Sequence, residues 1–135
     1  MAEPVKIEYF QLMVGFEFPP QSYSLDLASV ELYLQATRDN AEFYRAGNLV
    51  PPMAATAYAM TSLSQAVALP AGTIHVSQEL DFLKTLKIGD YITCCSKVSR
   101  KVDRGGLRLM NIDIRVINQN AEIVLTGKVG FLLPG

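Results

Sequence analysis

The sequence contains only one histidine and two cysteines, and its charges nearly balance, with 12 Lys and Arg against 13 Asp and Glu. A protein that binds nucleic acid needs a surplus of basic side chains on one face, so we predict no nucleic-acid partner. Zinc sites need three or four ligands at characteristic spacings, so we also predict no metal site. The two cysteines, Cys94 and Cys95, are adjacent. On a strand their side chains would point to opposite faces, which disfavours a disulfide between them.

Long hydrophobic runs are also missing. No stretch approaches the ~18 apolar residues of a membrane-spanning helix. The N-terminal segment MAEPVKIEYF lacks the basic region and apolar run of a signal peptide. We therefore expect a cytoplasmic protein with no membrane partner. The 135 residues, of which 50% are hydrophobic, fit a single domain over 1–135 whose core needs no disulfide or metal.

Apolar periodicity predicts the elements of the N-terminal part. Residues 5–16 are rich in β-branched and aromatic side chains, which predicts a first strand, and the following proline pair interrupts it. A helix should follow, with Ser24 or Asp26 as its N-cap. Its apolar positions at helical spacing are Leu27, Val30, Leu32 and Leu34.

A second, longer helix is predicted over residues 52–69, with the sequence PMAATAYAMTSLSQAVAL. Pro52 suits the first helical turn, and Pro70 and Gly72 end the segment. It has no charged side chain and many alanines. We therefore expect this helix to be buried nearly all round.

Four strands are predicted after this helix. The hairpin signal DRGG joins the second and third of them, and NQNA makes another tight turn before the fourth. A run of antiparallel strands with one segregated helix is an α+β layout. We predict a curved antiparallel sheet wrapped around the long helix, in the segments TIHVSQELDFL, YITCCSKVSRKV, LRLMNIDIRVI and EIVLTGKVGFLLP.

Four segments carry a family resemblance through their order and spacing: QATRDN, NLVPPMAATAYAM, TIHVSQELDFLKTLKIGDYIT and EIVLTGKVGFLLP. Together they resemble the MaoC-like acyl dehydratase and (R)-specific enoyl-CoA hydratase family. The first stands where the family has A-x-x-G-D-x-N-P-x-H. Within the third, FLKTLKIGD stands where F-x-R-P-L-x-x-G-D is usual, with Thr85 in place of the proline. The resemblance covers nearly the whole chain and implies the hot-dog fold.

The resemblance also implies a chemistry. An aspartate and a histidine spaced D-x4-H, in a tunnel at a dimer interface, add water across the double bond of a 2-enoyl thioester or catalyse the reverse elimination. Such a reaction needs an acid and a base within reach. A backbone N–H at the start of the buried helix, near Pro52, Met53 and Ala54, polarises the thioester carbonyl and stabilises enolate-like charge. The implied substrate is an acyl-CoA or acyl-carrier-protein thioester, and no cofactor is implied.

The motif histidine is absent from this chain. Alignment on the aspartate places Asp39 at the acid position and Tyr44 where the histidine should be. Alignment on Asn40 instead puts Arg38 at the acid position and Phe43 at the histidine. Tyrosine, with an ordinary pKa near 10, is a poor base at pH 7, although it can donate a proton or orient a water.

Each candidate residue also has a purely structural interpretation. Asp39 and Asn40 are ordinary at the end of a helix, Tyr44 can be a half-buried aromatic, and Met53 and Ala54 can simply start a helix.

The only histidine, His75, falls on a predicted strand. Alternation puts it on the polar face, at the surface or at an interface, from which it could serve a pocket shared with a second subunit. The members of that face are Thr73, His75, Ser77, Glu79 and Asp81, and those of the other face are Ile74, Val76, Gln78, Leu80 and Phe82.

These observations predict a hydro-lyase family member. The first hypothesis is the acyl-binding subunit, with a degenerate active site, of a heteromeric (R)-3-hydroxyacyl-thioester dehydratase or 2-enoyl-CoA hydratase. The alternatives are a self-sufficient homodimeric hydratase that uses Asp39 with Tyr44 or His75, and a non-catalytic acyl-thioester binding protein. A hot-dog thioesterase would need an acidic residue on or near the buried helix, and 52–69 has none. Pairing with a second hot-dog subunit, as a homodimer or heterodimer, would cover a sheet edge.

Overall fold

The computed structural model describes residues 6–38, 44 and 46–134. The N-terminal elements are β1 (Ile7–Glu8), a 3₁₀ turn (Tyr9–Gln11), β2 (Gln21–Ser24), α1 (Leu27–Ala36) and β3 (Leu49–Val50). They are followed by α2 (Pro52–Ala66), β4 (Val67–Ala68), β5 (Ile74–Phe82), β6 (Leu86–Lys87), β7 (Tyr91–Arg104), β8 (Leu107–Ile117) and β9 (Ile123–Leu133).

The main sheet has five strands in the order β2-β7-β8-β9-β5, and every pairing within it is antiparallel. Two small pairs stand apart from it, β1 with β4 and β3 with β6. The four long strands predicted after the helix are confirmed as β5, β7, β8 and β9. The DRGG hairpin is confirmed too, with positive φ angles of 58° at Gly105 and 83° at Gly106, which glycine adopts readily.

The predicted first strand over residues 5–16 is wrong. Among residues 6–16, the part of that range that the structure describes, only Ile7–Glu8 is a strand, and the chain then makes its 3₁₀ turn. The reason is a distant side chain, because the Lys101 ammonium donates to the carbonyl oxygens of Tyr9 at 3.0 Å and Leu12 at 2.9 Å. It also lies 3.9 Å from the centre of the Tyr9 ring. These contacts satisfy backbone carbonyls that a strand would pair with a neighbour.

α1 begins where the sequence predicts. Asp26 is its N-cap, and the carboxylate accepts a hydrogen bond from the Ser29 N–H at 2.7 Å, which lowers the pKa of Asp26. Val30 and Leu34 are buried as predicted, whereas the other two apolar positions, Leu27 and Leu32, are exposed.

α2 differs from its prediction in length and in burial. It ends at Ala66 rather than at residue 69, because Val67 and Ala68 pair with β1 as a parallel strand. One face is buried, through residues that include Ala55, Ala59 and Leu63. The expectation that the helix is buried nearly all round is wrong for the single chain, since the sheet covers only this face. The exposed positions are Pro52, Met53, Ala57, Thr61, Ser64 and Gln65.

The core lies between α2 and the inner face of the sheet, where α2 packs on β7 and β8. Its fully buried sheet residues include Ile92, Val98, Met110, Ile112, Val116 and Val129. Cys94 is buried and Cys95 half-buried, and both are free, which confirms the expectation of no disulfide between them. Burial raises the pKa of Cys94 to about 12, so its thiol stays protonated at neutral pH.

Candidate functional site

A pocket of about 320 Å³ opens beside the first turn of α2. Three polar residues line it, Tyr44, Lys84 and Thr85. The rest of its wall is apolar and consists of Leu49, Val50, Pro52, Ala55, Phe82, Leu83, Leu86, Val124 and Leu125. A mostly apolar concave site with few polar groups is typical of a small-molecule pocket.

The small β3–β6 pair forms part of the wall of this pocket. Leu49 pairs with Lys87 and Val50 with Leu86, and the Ile88 N–H donates to the carbonyl of Asn48 at 2.8 Å. This pairing holds the segment before α2 against the segment that follows β5. Residues distant in sequence therefore share one wall.

Tyr44 is the predicted catalytic residue that the structure places at the pocket. It is half-buried and also lines a second, smaller cavity against α1, so its side chain lies between the two. Asp39 and Asn40 lie outside the described residues, and their site roles stay predictions.

The predicted substrate-binding residues at the start of α2 differ in what their backbones can offer. Pro52 lines the pocket but has no N–H. The N–H of Ala54, a buried residue, donates to the carbonyl of Pro51 at 2.9 Å. Met53 is exposed and lies in the first turn, where an amide has no intrahelical acceptor. Of the three, Met53 is the residue whose amide has no acceptor within the helix.

His75 is not part of this pocket. Its Nε2 lies 3.0 Å from the carbonyl oxygen of Ser77, and its ring centre lies 5.1 Å from that of Phe131. Phe82 in the pocket wall is at the other end of the same strand, about 23 Å away at the rise of ~3.3 Å per strand residue. One chain therefore does not bring His75 and Tyr44 to the same cavity.

The predicted face of His75 is also wrong. A bulge in β5 shifts the register between His75 and Ser77. His75 pairs with Phe131 and Gln78 with Val129, and both partners are buried on the inner side of the sheet. His75 is therefore on the inner side with Gln78, Leu80 and Phe82, but it is exposed, as its predicted surface position requires. The extra residue reverses the alternation that the sequence implies.

Sequence reasoning missed several wall residues, among them Phe82, Leu83 and Lys84. The signal for them was the segment FLKTLKIGD, which carries part of the family resemblance. Lys84 stands at the mouth of the pocket and forms an ion pair with Glu122. The hydrogen bond from Lys84, with a second from Asn118, lowers the pKa of the Glu122 carboxyl.

Among the residues that the structure describes, no three His, Cys, Asp or Glu side chains come together as metal ligands. Within the same residues, no helix combines the length and apolarity needed to cross a membrane.

The family model of the FAS1-like dehydratase domain region matches residues 12–127. The chain belongs to this family. No curated protein shows significant sequence similarity to this chain.

Solved structures of hydratases and dehydratases are similar to this family member over most of its length. R-hydratase PhaJ1 from Pseudomonas aeruginosa, in the unliganded form, has a TM-score of 0.80 at 22% identity and covers 96% of this chain and 86% of its own. The (R)-hydratase from A. caviae involved in PHA biosynthesis has a TM-score of 0.75 at 20% identity, with coverages of 91% and 98%.

The C-terminally truncated HadBC (3R-hydroxyacyl-ACP dehydratase) complex from Mycobacterium tuberculosis has a TM-score of 0.70 at 16% identity, with coverages of 88% and 96%. These likenesses confirm the predicted hot-dog fold, and with the family model they confirm the predicted MaoC-like dehydratase family.

The described residues that line this pocket supply only a few polar groups for catalysis. They offer one phenol, one ammonium and one hydroxyl, from Tyr44, Lys84 and Thr85. No carboxylate or imidazole is among the described lining residues. The described wall can hold an apolar group and contact a polar one, but it lacks a base suited to neutral pH.

Proposed function

We propose that the protein is the acyl-binding subunit, with a degenerate active site, of a heteromeric (R)-3-hydroxyacyl-thioester dehydratase or 2-enoyl-CoA hydratase. The observation that carries this proposal is the apolar pocket beside the first turn of α2, whose described wall has no carboxylate or imidazole. An apolar wall binds a hydrocarbon chain because it removes that chain's surface from water.

In this proposal the thioester of an acyl-CoA or acyl-carrier-protein substrate lies at the start of α2. The Met53 amide polarises its carbonyl oxygen, since a first-turn amide is unpaired within the helix and carries the positive end of the helix dipole. Lys84, at the mouth, contacts a polar part of the substrate outside the acyl chain. The acid–base pair comes from the other subunit.

A second hot-dog subunit has a place to dock on β5. This strand is at the edge of the main sheet, and it exposes apolar side chains such as Ile74 and Val76. A long unpaired edge with apolar side chains favours strand pairing. The similar HadBC structure is a complex, which supports assembly of this kind.

The alternative is a homodimeric hydratase that uses Asp39 with Tyr44 or His75. One observation favours it. His75 is on the inner side near the start of the edge strand, and Phe82 is at its end. Antiparallel pairing of two copies of β5 would bring His75 of one copy towards Phe82 of the other.

The sequence also suggested two other functions for a pocket of this kind, acyl-thioester binding alone and thioester hydrolysis. An acyl-thioester binding protein would use the pocket without any catalytic partner. A hot-dog thioesterase would need an acidic group on or near α2, and the side chains of Pro52–Ala66 include no charge.

Acyl-chain binding tests the proposal. The purified chain is titrated by calorimetry with CoA alone and with butyryl-, hexanoyl- and octanoyl-CoA. We expect the affinity to rise about fourfold for each added methylene until the pocket is full, from ~0.8 kcal/mol per buried methylene. An affinity that does not depend on acyl length would contradict an acyl-binding role, because CoA contacts alone would then explain it.

A further inference from the structure

The outer face of the main sheet carries a row of alternating charges across four strands. Lys97 on β7 is opposite Asp113 on β8, Asp113 is opposite Lys128 on β9, and Lys128 is opposite Glu79 on β5. All four side chains are exposed. Opposite charges that face each other on neighbouring strands stabilise their pairing. The row ends at β5 on a negative charge, with no strand beyond it in this sheet.

β5 itself carries two acidic residues and no Lys or Arg. Glu79 and Asp81 lie on the same, outer side, and both line one surface depression with Lys128 and Arg115. On the inner side, Leu80 is half-buried and Phe82 is partly exposed. The free edge therefore presents an acidic outer side and an apolar inner side to whatever strand pairs with it.

A second copy of this chain fits that edge poorly. In an antiparallel pair, side chains opposite each other point to the same side. If two copies of β5 pair antiparallel about a point near the middle of the strand, Glu79 of one copy lies opposite Ser77, Glu79 or Asp81 of the other. In each of these registers at least one pair of carboxylates from the two copies is directly opposite or diagonal. Like charges at such positions destabilise strand pairing.

We propose that β5 pairs with the edge strand of a different hot-dog subunit, which carries Lys or Arg at the outward positions that face Glu79 and Asp81. This inference rests on the proposed function, and it specifies the chemistry of the partner. A basic strand continues the alternation of the row, and apolar residues on its inner side cover Leu80 and Phe82. The acidic edge also selects against self-pairing.

A charge-reversed copy of the chain serves as a surrogate for that partner. The variant Glu79→Lys/Asp81→Lys is mixed with an equal amount of the wild-type chain, and the dimers are counted by native mass spectrometry. We expect the ratio of mixed dimers to like dimers to exceed its statistical value about tenfold, since each repulsive cross-strand contact is replaced by an attractive one. Statistical mixing, or monomers in every sample, would overturn the proposal.

A neutral variant tests the repulsion even if the charge-reversed chain does not fold. Glu79→Gln/Asp81→Asn should tighten self-association about tenfold in sedimentation equilibrium, because the like charges at the seam are gone. The matched control, Glu17→Gln/Asp103→Asn, removes two carboxylates that are not on β5 and should leave self-association unchanged. Equal dissociation constants for the wild-type chain and the neutral variant would refute the inference.

The octanoyl-CoA titration, run on the same samples, separates this inference from the proposed function. Statistical mixing with acyl-length-dependent binding retained would overturn only the basic partner. Preferential mixed dimers without acyl-length dependence would support the basic partner and contradict only the acyl-binding role.

Discussion

β5 ends beside the apolar pocket, where Phe82 contributes to the wall. It starts about 23 Å away by strand geometry, where the His75 ring lies against that of Phe131 in a tilted arrangement and its ring nitrogen contacts the Ser77 carbonyl. The cavity is at the end of the strand, and no described residue of its wall is a suitable base. The only histidine of the chain is at the start of the strand, away from that cavity. Within one chain, the pocket and the imidazole are therefore at opposite ends of one strand.

The separation of the pocket from the only histidine bears on catalysis by a single chain. An acid–base pair must lie within hydrogen-bond reach of the reacting atoms, and His75 cannot reach Tyr44 in its own chain. In the proposed function a base for the pocket comes from another subunit, which would bind along the exposed edge of β5 beside the pocket wall.

The largest expected effect is on the pairing of the pocket half of β5. A Cβ at Gly127 would lie 2.6 Å from the Glu79 carbonyl oxygen and 2.9 Å from Leu80 Cδ2. Because the first obstacle is backbone, Gly127→Ala should lower the free energy of unfolding by about 2–3 kcal/mol, measured in urea. Gly130→Ala is the control nearer the start of β5. Its Cβ would meet the Ser77 hydroxyl, a side-chain group that can move, so we expect a smaller loss. Equal losses of unfolding free energy in the two variants would show that both halves of β5 tolerate an added Cβ equally.

Blocking the pocket should weaken acyl binding. Thr85 is an exposed residue of the pocket wall, so Thr85→Trp fills the cavity without disturbing the core. We expect about tenfold weaker octanoyl-CoA binding, equivalent to ~1.4 kcal/mol, in calorimetric titrations. Ile74→Trp places the same side chain at the other end of β5, and its affinity should match that of the wild-type chain. Weakening by both variants would mean that the acyl chain extends along the whole strand.

Removing the imidazole should affect stability and not binding. His75→Ala loses the ring contact with Phe131, which should lower the free energy of unfolding by about 0.5–1 kcal/mol. His75→Phe keeps an aromatic ring there and should retain that stability. Octanoyl-CoA should bind both variants as it binds the wild-type chain. If His75→Ala weakened binding, the histidine of a second copy would reach the pocket, and the homodimeric alternative would gain support.

The smallest effect concerns the ion pair at the pocket mouth. Because Lys84 lowers the pKa of Glu122 below its ordinary value of 4.5, the pair stabilises the folded state above that pH. The contribution is lost as pH falls through the lower folded-state pKa. In thermal unfolding, Glu122→Gln should melt slightly below the wild-type chain at neutral pH, and the difference should vanish in acid. A difference that persists in acid would assign the effect to packing.

Much of the fold was predictable because its signals are local. The long strands, the DRGG turn and the Asp26 cap each depend on residues close together in sequence. The errors come from distant contacts. Lys101 holds the segment that was predicted as the first strand, and pairing with β9 creates the bulge that reverses the face of His75. The residues next to these positions in sequence predict neither the Lys101 contacts nor the bulge.

The candidate site was predictable only as far as the family resemblance extends. It pointed to Tyr44 and Pro52, which the structure places in one wall. It did not reveal that Phe82–Thr85 would complete that wall, because the β3–β6 pair creates this arrangement through tertiary contact. The roles of Asp39 and Asn40 remain predictions, since both lie outside the described residues.

The measurement that tests the central claim most directly is hydration of crotonyl-CoA and a longer 2-enoyl-CoA by the purified chain, followed by the absorbance of the conjugated thioester. We predict no turnover by folded protein that binds octanoyl-CoA. Clear turnover by the chain alone, abolished in Asp39→Asn, would contradict a degenerate site.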